Sequence, residues 1–125
     1  MTDPQTILIV EDDETDRLIV RLFLEQAGYR VLEVDSAEAG LALCARTRPD
    51  LLLVDGLLPR MDGFQMTRAL RAVPEYRDTP ILVLSGLEEP EWPARAMDAG
   101  ATGFILKSNN WDALVERIRQ ELAAN

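Results

Sequence analysis

The sequence predicts a doubly wound α/β fold built on a five-stranded parallel sheet. Short apolar runs alternate with longer amphipathic segments along the 125 residues. The apolar runs lack the alternation of half-exposed strands, which indicates strands covered on both faces and therefore a parallel sheet with helical crossovers. The length suits one domain, and we expect a single domain over residues 1–125.

The first two strand–helix units are bounded by turn and capping residues. Ile7–Val10 is predicted as the first strand, and a helix of about Glu14–Gln26 follows it and stops before a glycine. Arg30–Val34 is predicted as the second strand. Ser36 is a preferred N-cap residue type, so a helix is predicted from there to about Arg46.

The remaining units repeat this pattern. Pro49 and Asp50 predict a turn before the third strand, and glycines precede or end the helices. The predicted elements, in order, are strand Leu51–Asp55, helix Phe64–Ala72, strand Ile81–Leu84, helix Trp92–Ala99, strand Gly103–Leu106 and helix Asn110–Ala123.

Composition and charge exclude several classes of function. The 22 acidic and 13 basic residues give a net charge of −9, which repels a nucleic-acid backbone, so we expect no direct nucleic-acid contact. No apolar stretch approaches the ~20 residues of a membrane span, and the chain does not begin with a basic signal-peptide segment, so we expect a cytoplasmic protein without membrane contact. The absence of histidine excludes histidine-dependent catalysis, and the single cysteine, Cys44, is expected to be a buried thiol.

Polar residues fall where the predicted strands end. The carboxyl ends of parallel strands meet at one edge of a sheet, where ligands of such folds bind, so these side chains are expected to lie together. They are Glu11, Asp12 and Asp13 after the first strand, Asp55 at the end of the third, Ser85 after the fourth and Lys107 after the fifth. Carboxylates close together need a cation, and an oxygen-only ligand set suits Mg²⁺. An aspartate is also a competent nucleophile toward phosphorus, while lysine and serine can hold phosphoryl oxygens.

Four sequence motifs resemble those of the receiver domain of two-component response regulators, over essentially the whole chain. The most specific is the third-strand motif Asp-x-x-Leu-Pro-x-Met-Asp-Gly. The four motifs, in chain order, are ILIVEDDETDR, LLLVDGLLPRMDGF, PILVLSG and GATGFILK. The resemblance implies a flavodoxin-like (βα)5 sandwich with strand order 2-1-3-4-5.

The resemblance also implies a role for each residue of the strand-end set except Asp13. By position Asp55 is the phosphoacceptor, and the implied donor is a histidine kinase or a phosphotransfer protein. The implied Mg²⁺ ligands are Glu11, Asp12, Asp55 and the backbone carbonyl of Leu57; the implied phosphoryl ligands are Ser85, Gly86 and Lys107; and the implied switch residues are Ser85 and Phe104. Such a signalling switch catalyses only its own phosphoryl transfer and loss. Phosphorylation remodels the face made by the fourth helix, fifth strand and fifth helix, where an output protein or domain binds.

Several positions depart from the family pattern. Ser108 follows Lys107 where most receivers have proline, so we expect a trans peptide bond there and a different loop. A non-proline residue after this lysine is common in receivers that precede a LuxR-type DNA-binding domain, so an alternative is a receiver excised from a longer regulator. Gly56 is expected to leave the site open, and the apolar Leu57 and Leu87 are expected to slow loss of the phosphoryl group.

Other interpretations stay open on sequence alone. One is a degenerate receiver that only binds other proteins. An aspartyl phosphohydrolase is disfavoured because Leu57 occupies the place of its usual second acid, and a nucleotide or flavin binder because the acidic run EDDETD follows the first strand. Single residues also have plainer interpretations: Phe104 as core, Asp13 as a solvated cap and Asp62 as a turn residue with Gly63.

Overall fold

The computed structural model describes residues 3–124, which contain one five-stranded sheet flanked by helices. All strand pairs are parallel and the order is β2-β1-β3-β4-β5, so the predicted fold class and strand order are confirmed. The strands are β1 Thr6–Val10, β2 Arg30–Val34, β3 Leu51–Asp55, β4 Ile81–Ser85 and β5 Gly103–Leu106. The helices are α1 Glu14–Gln26, α2 Ala37–Cys44, α3 Gly63–Arg71, α4 Glu91–Ala99 and α5 Trp111–Ala123, with a short 3₁₀ turn at Pro74–Tyr76.

Both faces of the sheet are buried, because successive strand residues point to opposite sides and both sides are apolar. In β1, Ile9 packs in a core cluster with Leu24 of α1 and Ile118 of α5. Its neighbour Leu8 packs on the other face, in a second cluster that includes Met66 of α3. The strands are therefore held from both sides, and the residues at their ends have fixed positions.

Polar side chains cap the amino ends of α1, α2 and α3. Asp13 and Ser36 each accept a hydrogen bond from the backbone N–H three residues further on, so both are confirmed as N-caps. The interpretation of Asp62 as a turn residue is wrong, because it caps α3 and Gly63 is the first helical residue. Asp62 accepts from the backbone of Gln65 while the Gln65 side chain accepts from the backbone of Asp62, which is a capping box.

The end of α2 is fixed by a residue that lies 32 positions further along the chain. The hydroxyl of Tyr76, in the 3₁₀ turn, donates to the carbonyls of Cys44 and Thr47 at 2.7 and 2.8 Å. The helix ends at Cys44, two residues before the predicted end at about Arg46, and the Tyr76 hydroxyl gives the carbonyls at this end a donor. The Cys44 thiol is buried, as predicted.

The amino edge of the sheet is held together by the guanidinium of Arg71, at the end of α3. It donates hydrogen bonds to the carbonyls of Gly100, Tyr76 and Thr79 at 2.6 to 2.7 Å and to the hydroxyl of Thr102 at 3.2 Å. These acceptors lie in the segments that lead into β4 and β5. Arg71 therefore satisfies backbone groups that would otherwise be left without partners where these strands begin.

Candidate functional site

Four strands bring polar side chains to the carboxyl edge of the sheet. Glu11 follows β1, Asp55 is the last residue of β3, Ser85 is the last residue of β4, and Lys107 follows β5. The β1–β3 register places Glu11 beside Asp55, and the β3–β4 register places Asp55 opposite the residue before Ser85. The expectation that these strand ends lie together is therefore met, since parallel strands share one carboxyl edge.

Three acidic side chains form a cluster that could hold a cation. Carboxylate oxygens of Glu11, Asp12 and Asp55 all lie within 4.8 Å of one another. Glu11 and Asp55 are only 4% and 7% exposed, whereas Asp12 is exposed. Hard oxygen ligands with one open side are the set that Mg²⁺ prefers, because this ion keeps several waters. The donor chemistry of the cluster therefore fits Mg²⁺.

The ammonium of Lys107 lies among the acids. Its Nζ is 2.7 Å from Oε1 of Glu11, 3.3 Å from Oδ2 of Asp55 and 3.4 Å from Oδ2 of Asp16. Asp16, in the first turn of α1, is a residue that the sequence reasoning missed. Its signal was its place in the first turn of the helix that directly follows Glu11, Asp12 and Asp13, which keeps it at the same end of α1 as those acids. An acid in a helical first turn is usually solvated, so that signal is weak alone.

The electrostatics of this cluster shift the pKa of two of its groups, Glu11 and Lys107. Burial raises the pKa of Glu11 to about 7, with Lys107 opposing the shift and Asp55 adding to it. For Lys107, burial acts to lower the pKa, but its contact with Glu11 and the charge of Asp55 outweigh burial and leave the pKa above its ordinary value. The site therefore favours positive charge on Lys107 and resists a full set of ionised acids.

Backbone and hydroxyl groups surround Asp55. The N–H of Leu57 donates to Oδ1 of Asp55 at 3.1 Å, while Leu57 as a residue is 47% exposed. The buried hydroxyl of Ser85 accepts from the N–H of Leu87 at 3.1 Å. Gly86 is exposed, and a Cβ added to it would meet no atom within 4 Å. Leu57 and Gly86 are thus both exposed at the starts of the loops that follow β3 and β4.

Comparison with known proteins identifies the family. The family model for the response regulator receiver domain matches residues 7–119. The chain belongs to the response regulator receiver domain family. Response regulators act with histidine kinases in two-component systems. Membership of this family therefore assigns the chain to signal transduction.

Solved receiver structures superpose closely on the chain. A putative response regulator from Chloroflexus aurantiacus has a TM-score of 0.92 and 34% identity, covering 96% of this chain and 98% of that one. The receiver domain of the sensor histidine kinase PA1611 from Pseudomonas aeruginosa has a TM-score of 0.89 and 28% identity over the same shares of the two chains. That structure has a magnesium ion coordinated in the active site cleft.

Curated relatives are longer than this receiver. The KDP operon transcriptional regulatory protein KdpE from Escherichia coli is 36% identical over 93% of this chain and 50% of its own length. The DNA-binding dual master transcriptional regulator RpaA from Synechocystis is 33% identical over 90% of this chain and 47% of its own. The chain thus spans about half the length of the curated relatives it matches. Because RpaA is described as DNA-binding, the expected lack of direct nucleic-acid contact is not confirmed and stays a prediction.

No helix in the described part of the receiver, residues 3–124, is long and apolar enough to cross a membrane.

Gly56 does not leave the receiver site open as predicted. Gly56 is buried, and a Cβ at this position would lie 3.0 Å from Cζ of Phe64. The Phe64 ring fills the space and stacks on Trp92 of α4, with ring centroids 6.1 Å apart. The guanidinium of Arg95 lies 4.6 Å from the centroid of Phe64. A small residue at position 56 therefore admits an aromatic side chain from α3 instead of solvent.

The last strand carries the predicted switch aromatic. Phe104 is half-buried and packs in a cluster with Val83 of β4 and Ala96 of α4. This packing suits its core interpretation, and its role as a switch stays a prediction. The peptide bond between Lys107 and Ser108 is trans as expected, because the described chain has no cis peptide bond.

Proposed function

We propose that this receiver domain, over residues 1–125, accepts a phosphoryl group on Asp55 in a Mg²⁺-dependent reaction. The donor is the phosphohistidine of a histidine kinase or a phosphotransfer protein. The observation that carries the proposal is the cluster of three carboxylates within 4.8 Å of one another, with the ammonium of Lys107 in contact with two of them. The reaction would take place in the cytoplasm.

Glu11, Asp12 and Asp55, together with the backbone carbonyl of Leu57, would hold the metal ion. When bound, Mg²⁺ neutralises negative charge on phosphoryl oxygens and on the acids that surround it. The burial of Glu11 and Asp55 supports this assignment, because two buried carboxylates repel each other and the single charge of Lys107 offsets only one of them.

We infer that Asp55 attacks phosphorus in line with the bond that breaks. The backbone N–H of Leu57 donates to Oδ1 of Asp55 and the ammonium of Lys107 donates to Oδ2, so two contacts restrict the carboxylate before it reacts. A carboxylate oxygen bonds to phosphorus as the bond from phosphorus to the donor nitrogen breaks, and the bonding electron pair stays on that nitrogen. The product is an acyl phosphate on Asp55, whose oxygens Lys107, Ser85 and the N–H of Gly86 would bind.

The new group would change the loop after β4. A phosphoryl group adds about two negative charges and strong acceptor oxygens. The Ser85 hydroxyl, which now accepts from Leu87, would turn to donate to a phosphoryl oxygen. Its movement would give Phe104 space to turn inward and would remodel the α4–β5–α5 face. An output protein or domain would bind that face, and the domain would serve as a signalling switch and not as an enzyme with an external product.

The lengths of the curated relatives support an alternative setting for the same chemistry. They extend well beyond the matched region, and their names describe transcriptional regulators. In that setting the receiver would control an attached output domain such as a DNA-binding one. An interaction-only receiver has less support, because the acids, Ser85 and Lys107 are all assembled at one edge.

The test is incubation of the intact chain with Mg²⁺ and acetyl phosphate, followed by intact-mass measurement. Wild type is expected to gain the mass of one phosphoryl group, and Asp55→Asn to gain none. Chelation of Mg²⁺ is expected to abolish the gain. An unmodified wild type at several donor concentrations, or an equal gain in Asp55→Asn, would contradict the proposal.

A further inference from the structure

Lys107 is fully engaged by carboxylates in the structure. A lysine ammonium has three N–H donors. Three acids lie within reach of Nζ: Glu11, Asp16 and Asp55, at 2.7, 3.4 and 3.3 Å. A phosphoryl oxygen that binds Lys107 must therefore displace one of these partners or share a donor with it.

Asp16 differs from the other two partners of Lys107. Glu11 and Asp55 belong to the acid cluster that would hold the metal ion, and Asp16 does not. A cation within that cluster would draw the carboxylates of Glu11 and Asp55 toward itself, whereas Asp16 would keep its interaction with Lys107. Asp16 is thus the partner that still competes for Lys107 when the phosphoryl group arrives.

The backbone of Asp16 is fixed. Its N–H donates to the side chain of Asp13, the N-cap of α1, at 2.7 Å. The Asp16 side chain is 38% exposed, so its ion pair with Lys107 is partly screened by solvent and moderate in strength. A partner of moderate strength can hold Lys107 near the site and still release it.

We propose that Asp16 is a positioning residue that competes with the phosphoryl group for Lys107 and thereby limits the rate at which Asp55 is phosphorylated. This inference rests on the function proposed above. Removal of the Asp16 charge frees one donor of Lys107 for a phosphoryl oxygen. An Asp16→Asn variant is therefore expected to take up a phosphoryl group from acetyl phosphate about two- to fivefold faster than wild type, the range that a partly exposed ion pair corresponds to.

The chain offers a matched control for the loss of one charge. Asp13 lies in the same acidic run, three residues earlier, and no ion pair joins it to Lys107 among the described residues. Asn caps helices as well as Asp does, so Asp13→Asn removes a nearby charge and keeps the start of α1. Its rate is expected to stay within about twofold of wild type, because a charge without a direct contact is screened. Asp16→Glu keeps a carboxylate within reach of Lys107 and is expected to keep the slower rate.

A second measurement reports the contact without phosphorylation. Lys107 is the sole lysine in the sequence, so ¹⁵N-lysine labelling gives a single side-chain ammonium signal. In metal-free protein, Asp16→Asn is expected to shift that signal, and Asp13→Asn is expected to leave it in place. The signal also shows that each variant is folded around Lys107.

The outcomes separate this inference from the proposed function. Faster phosphorylation of Asp16→Asn than of Asp13→Asn, together with a shifted ammonium signal, supports the competition. Equal or slower phosphorylation of Asp16→Asn, or an unmoved signal, overturns it while wild-type phosphorylation stands. A wild type that takes up no phosphoryl group overturns the proposed function, and the competition with it.

Discussion

Each edge of the sheet holds a half-buried basic side chain, Arg71 at the amino edge and Lys107 at the carboxyl edge, and the surroundings of these two differ. At the amino edge, the guanidinium of Arg71 donates hydrogen bonds to three backbone carbonyls and one hydroxyl, all of them uncharged acceptors. At the carboxyl edge, Lys107 lies among Glu11, Asp16 and Asp55, whose combined charge one ammonium cannot neutralise.

The difference follows from the chemistry of the two groups. A guanidinium is a rigid planar fork that can satisfy several acceptors at once, whereas an ammonium is a compact charge on a flexible stem. Burial lowers the pKa of Arg71, whereas the acids around Lys107 raise its pKa despite its burial. The amino edge is therefore built for stability. The carboxyl edge keeps an excess of negative charge that a metal ion and a phosphoryl group can rearrange.

The largest expected effect is on the amino edge. Arg71→Met is expected to lower the free energy of unfolding by about 3 kcal/mol, because it leaves carbonyls of three residues without their donor. Urea unfolding measures this change. Arg68→Met, an exposed position in the same helix, serves as the control and is expected to stay within about 0.5 kcal/mol of wild type. A similar loss in both variants would show that Arg71 has no special role.

The matching substitution at the carboxyl edge is expected to change the rate of phosphorylation. Lys107→Met is expected to slow phosphorylation of Asp55 by about 100-fold, because it removes a positioned charge beside the phosphoryl oxygens. The time course of intact mass with acetyl phosphate gives the rate. Arg119→Met, at an exposed ion pair of α5, is the control and should leave the rate unchanged. If Lys107→Met reacts like its control, the contrast between the two edges fails.

The acid cluster also predicts how stability depends on pH in metal-free protein. The pKa of Glu11 is raised to about 7 in the folded chain, so between its ordinary value and 7 the folded state binds more protons than the unfolded state. The stabilisation of the folded state by proton binding to Glu11 is then complete at low pH and is lost as the pH rises through about 7. The free energy of unfolding of wild type, compared with that of Glu11→Gln, is expected to fall by about 2 kcal/mol between about pH 5 and about pH 8. Urea unfolding at each pH measures this change. A parallel pH dependence in the two proteins would contradict the raised pKa.

The smallest expected effect concerns the lifetime of the acyl phosphate. Leu57 is exposed beside Asp55 and offers no polar group to order an attacking water. Leu57→Asn is expected to speed the loss of the phosphoryl group about threefold, because the Asn side chain can hold an attacking water with one hydrogen bond. Decay of the phosphorylated mass after donor removal measures it, with Leu57→Met as an apolar control. An unchanged lifetime would show that the residue two positions after Asp55 does not control water here.

The sequence was sufficient for the features that depend on local pattern. Apolar runs that end at Glu11, Asp55, Ser85 and Lys107 predicted the strands and the shared edge, because parallel strands must end together. The order of the strands came from the family resemblance. The capping box of Asp62 also had a local signal, since a glutamine three residues after the cap is its signature.

The rest depended on tertiary contacts that no local pattern contains. The partners of Arg71 include residues up to 31 positions away, and the ring that fills the space at Gly56 comes from the next helix. The contact between Asp16 and Lys107 joins residues 91 positions apart. Such pairs become visible only once the strands and helices are in place.

The most direct test of the carboxyl edge is the location of the phosphoryl group. The chain is incubated with Mg²⁺ and acetyl phosphate, the acyl phosphate is trapped by borohydride reduction, and the reduced residue is found by peptide mass spectrometry. We predict reduction at Asp55 alone, with none when Mg²⁺ is chelated. Reduction at another acid, such as Asp12, or equal reduction at Asp55 without Mg²⁺, would contradict the account.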